Sequence, residues 1–307
     1  MNLYFAPMEG ITTYTYRNAH AEVFGMCDEY YAPFIVPTDN ERISRKTLRD
    51  ILKENNSTKL KPQVLCSSAA AFLEFTKKLM DLGFDEVNLN LGCPSGTVVK
   101  KSRGAGALKD PDALDRFLDS IFSTAEVKIS VKTRAGFYGH DEFDKLLEIY
   151  NKYPITELMI HPRVREEYYN GFPNMQTFEK AYYGSELKLC YNGNIYTKDD
   201  YERIGSEYPK LNSVMIGRGA IKNPAIFREI RGGAPLKTGE LVSFSKLLEE
   251  RFLELLGSEI NTLHRLKEIW MHAMQNFPEE KKILKAVKKS NRLLDLNNAL
   301  CCLPELE

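Results

Sequence analysis

Short apolar runs recur along the chain, and each is followed by a segment with helical spacing. The clearest run lies at residues 86–91, where Val87, Leu89 and Leu91 alternate with Asn88 and Asn90. A period of two predicts a strand. It ends at Gly92-Cys93-Pro94, residues that break a strand and open a turn. Comparable runs fall at residues 3–6, 29–32, 62–66, 127–132, 157–161, 187–191 and 213–216. Between them, helices are predicted at 13–24, 45–53, 69–82 and 141–153. In the third of these, Phe72, Phe75, Leu79 and Leu82 repeat at helical spacing. Further helices start at Asp110-Pro111, with Asp as N-cap and Pro at the first position, near Thr197, and at Asn223-Pro224.

Eight strand–helix units in succession predict an α/β protein, a (β/α)8 TIM barrel. A doubly wound open sheet is the alternative, disfavoured by the eightfold count and by the lack of an early GxGxxG. Beyond Arg231-Gly232-Gly233 strand signals stop. Amphipathic helices are expected at 241–256, 262–276 and 279–296. The expected division is a barrel over 1–233 and an all-helical domain over 238–307.

Composition narrows the class. The 307 residues carry 42 basic and 42 acidic side chains, for zero formal net charge. A polyanion partner would therefore need a local basic patch. No run approaches the roughly 18 apolar residues of a membrane span, and the opening MNLYFAPMEG does not read as a signal peptide. Six cysteines without CxxC spacing suit free thiols in a reducing cytoplasm. The five histidines are scattered, so no metal site is expected.

In such a barrel, chemistry sits at the C-terminal ends of the strands. There the chain places Pro7, Met8 and Glu9 after the first strand, Gln63 on the third, and Asn90 and Cys93 on the fourth. Lys132 and Arg134 follow on the fifth, and His161, Arg163 and Arg165 on the sixth. Asn192-Gly193-Asn194 closes the seventh, and Gly217-Arg218-Gly219 the eighth. Loops after strands seven and eight commonly hold phosphate. Glycine permits close backbone approach and arginine grips phosphate with two bonds. With Lys132 pointing in from a buried strand, that pairing suits flavin mononucleotide (FMN). The lysine would meet the ring edge where negative charge collects on reduction, and Gln63 could bond its polar edge. Asn90, Arg134 and Arg165 are read as the substrate-facing set.

Taken together, APMEG, NLNLGCPSG, VKTRAGF, HPRVREEYYNG, YNGNI and MIGRGAIKNP resemble the tRNA-dihydrouridine synthases in order and spacing. The resemblance covers residues 1–230 and implies an FMN-dependent barrel with a C-terminal helical domain. It implies reduction of uridine in tRNA to 5,6-dihydrouridine at the expense of NADPH. By this resemblance Cys93 is the general acid and Asn90 holds the uracil. Pro7, Met8, Glu9, Gln63, Lys132 and His161 contact flavin or line the site. Asn192, Gly193, Asn194, Gly217 and Arg218 form the phosphate loops. One segment departs from the family: His161-Pro162-Arg163-Val164 stands where His-Gly-Arg-Thr is usual, and Glu167 replaces Gln.

The chemistry suits these residue types. Hydride addition at uracil C6 leaves charge that a proton at C5 must quench, and a thiol keeps its proton at neutral pH. Lys100, Lys101 and Arg103 are expected to face RNA phosphate. The target base must leave its stack to enter a barrel mouth. On the helical tail, Lys281, Lys285, Lys288, Lys289 and Arg292 would share one basic face opposite Ile283, Leu284 and Val287. Tyr168-Tyr169 and Phe137-Tyr138 could stack bases, or simply pack. A small-molecule FMN oxidoreductase of the dihydroorotate dehydrogenase type is the second reading, and an RNA-binding barrel without catalysis the third.

Overall fold

The computed structural model describes residues 1–37 and 43–306. In chain order come β1 (Asn2–Phe5), α1 (Tyr14–Phe24), β2 (Glu29–Tyr31), α2 (Arg45–Ile51), β3 (Leu60–Lys61) and β4 (Gln63–Val64). Next are α3 (Ala69–Asp81), β5 (Glu86–Leu91), the single turn α4 (Gly96–Val99), α5 (Pro111–Phe122) and β6 (Lys128–Gly136). They lead to α6 (Phe143–Tyr150), β7 (Leu158–Val164), α7 (Met175–Gly184), β8 (Leu189–Tyr191), α8 (Lys198–Glu207) and β9 (Ser213–Ile216). The chain finishes with α9 (Arg218–Lys222), α10 (Ile226–Ile230), α11 (Thr238–Leu256), α12 (Glu259–Ala273), α13 (Lys281–Lys289) and α14 (Leu293–Leu300).

All sheet pairings are parallel, in the order β3-β2-β1-β9-β8-β7-β6-β5-β4. The two outermost members of that order are separated in sequence by Pro62 alone. Proline cannot donate to a ladder, so it splits one strand into β3, paired with β2, and β4, paired with β5. The carbonyl of Pro62 still accepts from Asn88 N at 2.9 Å. The sheet thus closes into a (β/α)8 barrel with a helical segment at its C-terminal end.

Period-two alternation sorts the strands. Val87, Leu89, Leu91, Ile129, Val131, Leu158 and Ile160 face outward into the core shared with the helices. Tyr4, Ala6, Tyr31, Met159, Cys190 and Met215 form a separate buried cluster inside the barrel. Below it lies a floor of paired charges at the N-terminal ends of the strands. Lys61 Nζ reaches Glu86 at 2.7 Å and Glu29 at 3.1 Å, Lys59 reaches Glu29 at 2.6 Å, and Ser213 Oγ donates to Glu157.

Several expected elements change length. β6 runs past Lys132 to Gly136 and β7 past His161 to Val164, because the two pair on as Arg134↔His161 and, beyond an irregularity, Gly136↔Val164. Their inward residues there are charged, so no apolar run marks the extension. The turn opened by Gly92-Cys93-Pro94 leads into α4 and a 3-10 turn at Gly104–Lys109. The helix expected to start at Asn223-Pro224 is preceded by α9. The helix expected over 279–296 is broken into α13 and α14. Ser290 leaves helical geometry and its hydroxyl donates back to Val287 O at 2.8 Å, an option serine offers against helix continuation. Arg292 therefore leaves the basic face: it caps α14 and pairs with Asp295 at 2.7 Å.

The N-caps follow sequence: Asp110 accepts from Ala113 N at 2.9 Å, and Thr197 from Asp200 N at 3.1 Å. The helical segment packs directly on the barrel. Phe244 of α11 meets Phe24 and Tyr16 of α1 edge-on at 5.1 and 5.4 Å. Buried Trp270 of α12 donates to Ser245 at 2.8 Å. No helix among the described residues is long and apolar enough to cross a membrane.

Candidate active site

A cleft of about 270 Å³ opens at the C-terminal ends of the strands. It brings together Pro7, Met8, Glu9, Gln63, Asn90, Cys93, Lys132, Arg134, His161, Asn192, Gly193, Asn194, Gly217 and Arg218. Of the expected site residues, Arg165 does not line it. Its Nε reaches Pro94 O at 3.3 Å from the rim, beside Cys93. Glu9 is the sole acid in the lining among the described residues.

The loop after β1 is held by its own turn. Ile11 and Thr12 N–H both donate to Met8 O at 3.0 Å, and Met8 N donates to Thr12 Oγ1 at 2.8 Å. Across the barrel, three amides form a chain. Asn90 Nδ2 donates to Gln63 Oε1, and Gln63 Nε2 donates to Asn88 Oδ1, both at 2.7 Å. Asn90 Oδ1 accepts from Gly92 N at 3.0 Å and Cys93 N at 2.9 Å. This amide therefore shapes the turn that presents Cys93 and keeps one N–H free.

The Cys93 backbone is gripped from behind, where its carbonyl accepts from Ala105 N at 3.0 Å. Gly104 makes this approach possible. Its φ is +55°, and a Cβ there would lie 2.8 Å from Cys93 O and 2.9 Å from Cys93 Cβ. The thiol is half-buried, and burial pushes its pKa above the usual thiol range. Arg134 and Lys132 pull the other way but do not reverse that direction. Lys100 and Lys101 are exposed, away from the thiol, whereas Arg103 is partly buried with Nε lacking a partner.

Inward alternation delivers Lys132 and Arg134 of β6 and His161 of β7 to the cleft, with Arg163 fully buried behind them. Burial, then the neighbouring Arg134, brings the Lys132 ammonium down to about 8. No side-chain hydrogen bond or ion pair holds Lys132 among the described residues. Arg134 is the opposite case. Its Nε donates to Gly92 O at 2.7 Å, and its Nη1 to Tyr168 O at 2.8 Å and Val164 O at 3.2 Å. Its guanidinium ties three loops together.

His161 Nδ1 bonds Asn192 O. A carbonyl only accepts, so Nδ1 carries the proton and Nε2 is bare. Burial, with Arg134 and Lys132 nearby, holds this imidazole well below its ordinary pKa and hence neutral. Arg163 Nη1 stands 3.4 Å from Nε2, and Arg163 also holds the carbonyls of Asn170 at 3.0 Å and Gly171 at 2.6 Å. No role was read for Arg163 in the sequence. Its two-residue offset from His161 along a strand was the available signal.

The loops after β8 and β9 meet backbone to backbone. A Cβ on Gly219 would lie 1.9 Å from Ile195 O, so this glycine serves loop–loop contact. The amide side chains here are already engaged. Asn192 Nδ2 donates to Met215 O at 2.6 Å, and Asn194 Oδ1 accepts from Arg163 at 3.2 Å and Arg218 at 3.1 Å. What remains for a ligand is the loop backbone, the start of α9 and the Arg218 cation. Arg218 lies 4.8 Å over Tyr169 and 6.0 Å over Tyr196. Phe34, Ile195 and Tyr196 also line the cleft and were not among the expected site residues, and Tyr169, read as a possible stacking ring, lines it too. Glu167, the departure from the family pattern, accepts from Val164 N at 2.6 Å and pairs with His140 at 3.3 Å.

Comparison with known proteins settles the family. Residues 4–301 match the dihydrouridine synthase (Dus) family model. The chain belongs to the dihydrouridine synthase family. Named relatives include tRNA-dihydrouridine synthase B of Pseudomonas aeruginosa, 25% identical over 82% of this chain and 77% of that one. The tRNA-dihydrouridine(16) synthase of Neisseria meningitidis serogroup B is 27% identical over 88% of this chain and 84% of its own. A tRNA-dihydrouridine(47) synthase [NAD(P)(+)]-like protein of Arabidopsis thaliana is 28% identical over 74% of this chain, which spans 35% of that relative. Among solved structures, morphinone reductase superposes with a TM-score of 0.52 at 10% identity, over 76% of this chain and 86% of the other. A variant of NCR from Zymomonas mobilis gives 0.53 at 12% identity, over 76% and 87%. These two share the fold. In this family member, then, Cys93 stands on a turn held by Asn90, in the same cleft as a lysine that has no side-chain partner among the described residues.

Proposed function

We propose that this dihydrouridine synthase family member reduces specific uridines of tRNA to 5,6-dihydrouridine, with FMN bound in the cleft and NADPH as reductant. The observation that carries the reading is a half-buried Cys93 thiol sharing one cleft with Lys132, which has no side-chain partner among the described residues, and with two glycine-bearing loops. The residues suit FMN. The loops after β8 and β9 offer backbone donors and Arg218 to a phosphate, and the wall around them bears no acid but Glu9. Lys132 would meet the pyrimidine edge of the ring. Gln63 has a spare N–H beside it.

A reduced flavin held there would supply the hydride for uracil C6. Cys93 then delivers its proton to C5, so that one hydride and one proton, together one equivalent of H2, are added across the double bond. Raised thiol pKa favours this role, because the acid must hold its proton until the base needs it. Asn90 fixes the turn that aims Cys93 and presents its remaining N–H to a pyrimidine carbonyl. Neutral His161 and tied-down Arg134 keep the wall rigid. The exposed lysines of α13 (Lys281, Lys285, Lys288 and Lys289) support tRNA phosphate contact by the helical segment. A cytoplasmic location follows from a tRNA substrate.

The test is incubation of the purified protein with unmodified tRNA transcript and NADPH, scored by mass. Addition of H2 to a mapped uridine is the expected result. A yellow protein that ignores tRNA and reduces a free pyrimidine would transfer the chain to small-molecule chemistry.

A further inference from the structure

Aromatic side chains that a folded chain ordinarily shelters stand in the open on one side of the cleft. Tyr138 is 67% exposed, Tyr168 40%, Tyr169 47% and Phe172 88%. Four of the nine large apolar or aromatic side chains exposed among the described residues thus come from the two loops after β6 and β7. Those strands pair, so their loops are neighbours.

The rings do not serve to hold these loops. Arg163 grips the carbonyls of Asn170 and Gly171, Arg134 that of Tyr168, and Glu167 the N–H of Val164. Phe137, by contrast, is buried and does pack. Arg165 is interleaved with the rings: its guanidinium carbon lies 4.9 Å from the Tyr168 ring and 5.5 Å from that of Phe137. Its Nε holds Pro94 O, so this rim adjoins the Cys93 turn directly. Glu166 pairs with Arg165 at 2.8 Å.

We propose that Tyr138, Tyr168 and Phe172, with Arg165 among them, form a stacking platform for the unpaired bases that flank the uridine held in the cleft. This rests on the tRNA reading above. Open π-faces beside a guanidinium are what single-stranded bases stack on, without regard to base identity. The occupant extends beyond the cleft, as a polymer does and a free dinucleotide reductant need not. Tyr169, at the cleft edge, links the platform to the bound base. The rim residue Arg165 thereby keeps its substrate role while standing outside the cleft.

The test compares wild type with Phe172→Ala/Tyr138→Ala, and with Phe172→Trp and Tyr138→Phe as conservative variants. Four quantities are read: Kd for unmodified tRNA transcript, KM against kcat for dihydrouridine formation, the rate of flavin reduction by NADPH, and Tm. The alanine pair should raise tRNA Kd and KM by about tenfold or more and leave flavin reduction and Tm as in wild type. The aromatic replacements should retain wild-type Kd. Equal Kd in wild type and the alanine pair overturns the platform. So does a fall in Tm or flavin content that accounts for the loss, since that marks packing. A dimer that sediments in wild type and dissociates in the alanine pair with Kd unchanged would assign the rings to a second copy of the chain. Absence of dihydrouridine with wild type would sink the function reading separately, and the Kd comparison would still decide the rim.

Discussion

The two ends of the barrel are built from similar residue types and use them differently. At the floor, every charge described above meets a counter-charge or a hydroxyl: Lys61 sits between Glu29 and Glu86, and Ser213 serves Glu157. At the mouth, Lys132 is also largely enclosed and, among the described residues, has no such partner. A buried charge is costly unless paired. A floor that pairs its charges is complete by itself, whereas a mouth that leaves one unpaired is open to an anionic or hydrogen-bonding ligand, as the FMN proposal requires. The same contrast runs within the mouth. Arg134, Arg163 and Asn194 are consumed by loop carbonyls and each other, and Cys93 and Lys132 are held but unspent.

This contrast can be broken by substitution. Cys93→Ala carries the largest expected effect: dihydrouridine formation should drop by about 10²–10⁴-fold, the usual worth of a general acid. Flavin content and NADPH-driven flavin reduction should stay normal. Product formation at the wild-type rate would remove Cys93 from the chemistry. At the floor, Lys61→Met leaves Glu86 without its counter-charge and Glu29 with Lys59 alone, and should destabilise the fold by up to about 3 kcal/mol, read by urea unfolding. A near-neutral result would mean that the floor does not depend on pairing.

pH sharpens the comparison. The lowered pKa of Lys132 means that its charge is present below about 8 and lost as pH rises past that value. Turnover should therefore decline above about pH 8. Lys132→Arg, which stays charged, should carry that limb to higher pH. A second fall, from loss of the Cys93 proton, belongs at still higher pH because burial raises that thiol. His161 is already neutral, so no histidine inflection should appear between about pH 6 and 7. An inflection there that vanishes in His161→Asn would show that the imidazole titrates. The smallest effect is expected at Glu167→Gln. The amide can still accept from Val164, and loss of the partly exposed pair with His140 should cost no more than about 1 kcal/mol.

Much of the site was legible because barrel geometry converts sequence position into place. Once eight strands are counted, the residue at each C-terminal end is known to face one cleft; Asn90, Lys132 and His161 follow from alternation, and Cys93 from the Gly-Cys-Pro turn that ends its strand. Strand lengths were less legible where inward positions are charged, as in Arg134 and Arg163, since no apolar run continues there. The helix break at Ser290 was hidden by the run of lysines and apolar residues on either side of it. Arg165 was read as a cleft residue because it follows His161 closely. The 3-10 turn at Arg165–Glu167 instead leaves it on the rim.

The sequence by itself determined the fold class, the end of the barrel that carries the chemistry, and the thiol, lysine and glycine-bearing loops found there. These depend on periodicity and residue type, which are local properties. Only the tertiary structure decided which polar groups are spent and which are free. Asn192 and Asn194 line the cleft, and their side chains also brace it, through Met215 O in one case and Arg163 and Arg218 in the other. In the loop after β9, Gly219 makes room for Ile195, whose carbonyl a Cβ there would meet at 1.9 Å. Lys132 resembles Lys61 on paper, and only packing leaves one paired and the other waiting. Hydrogen-bond satisfaction is a property of all neighbours at once, and neighbours from eight strands meet only when the barrel closes.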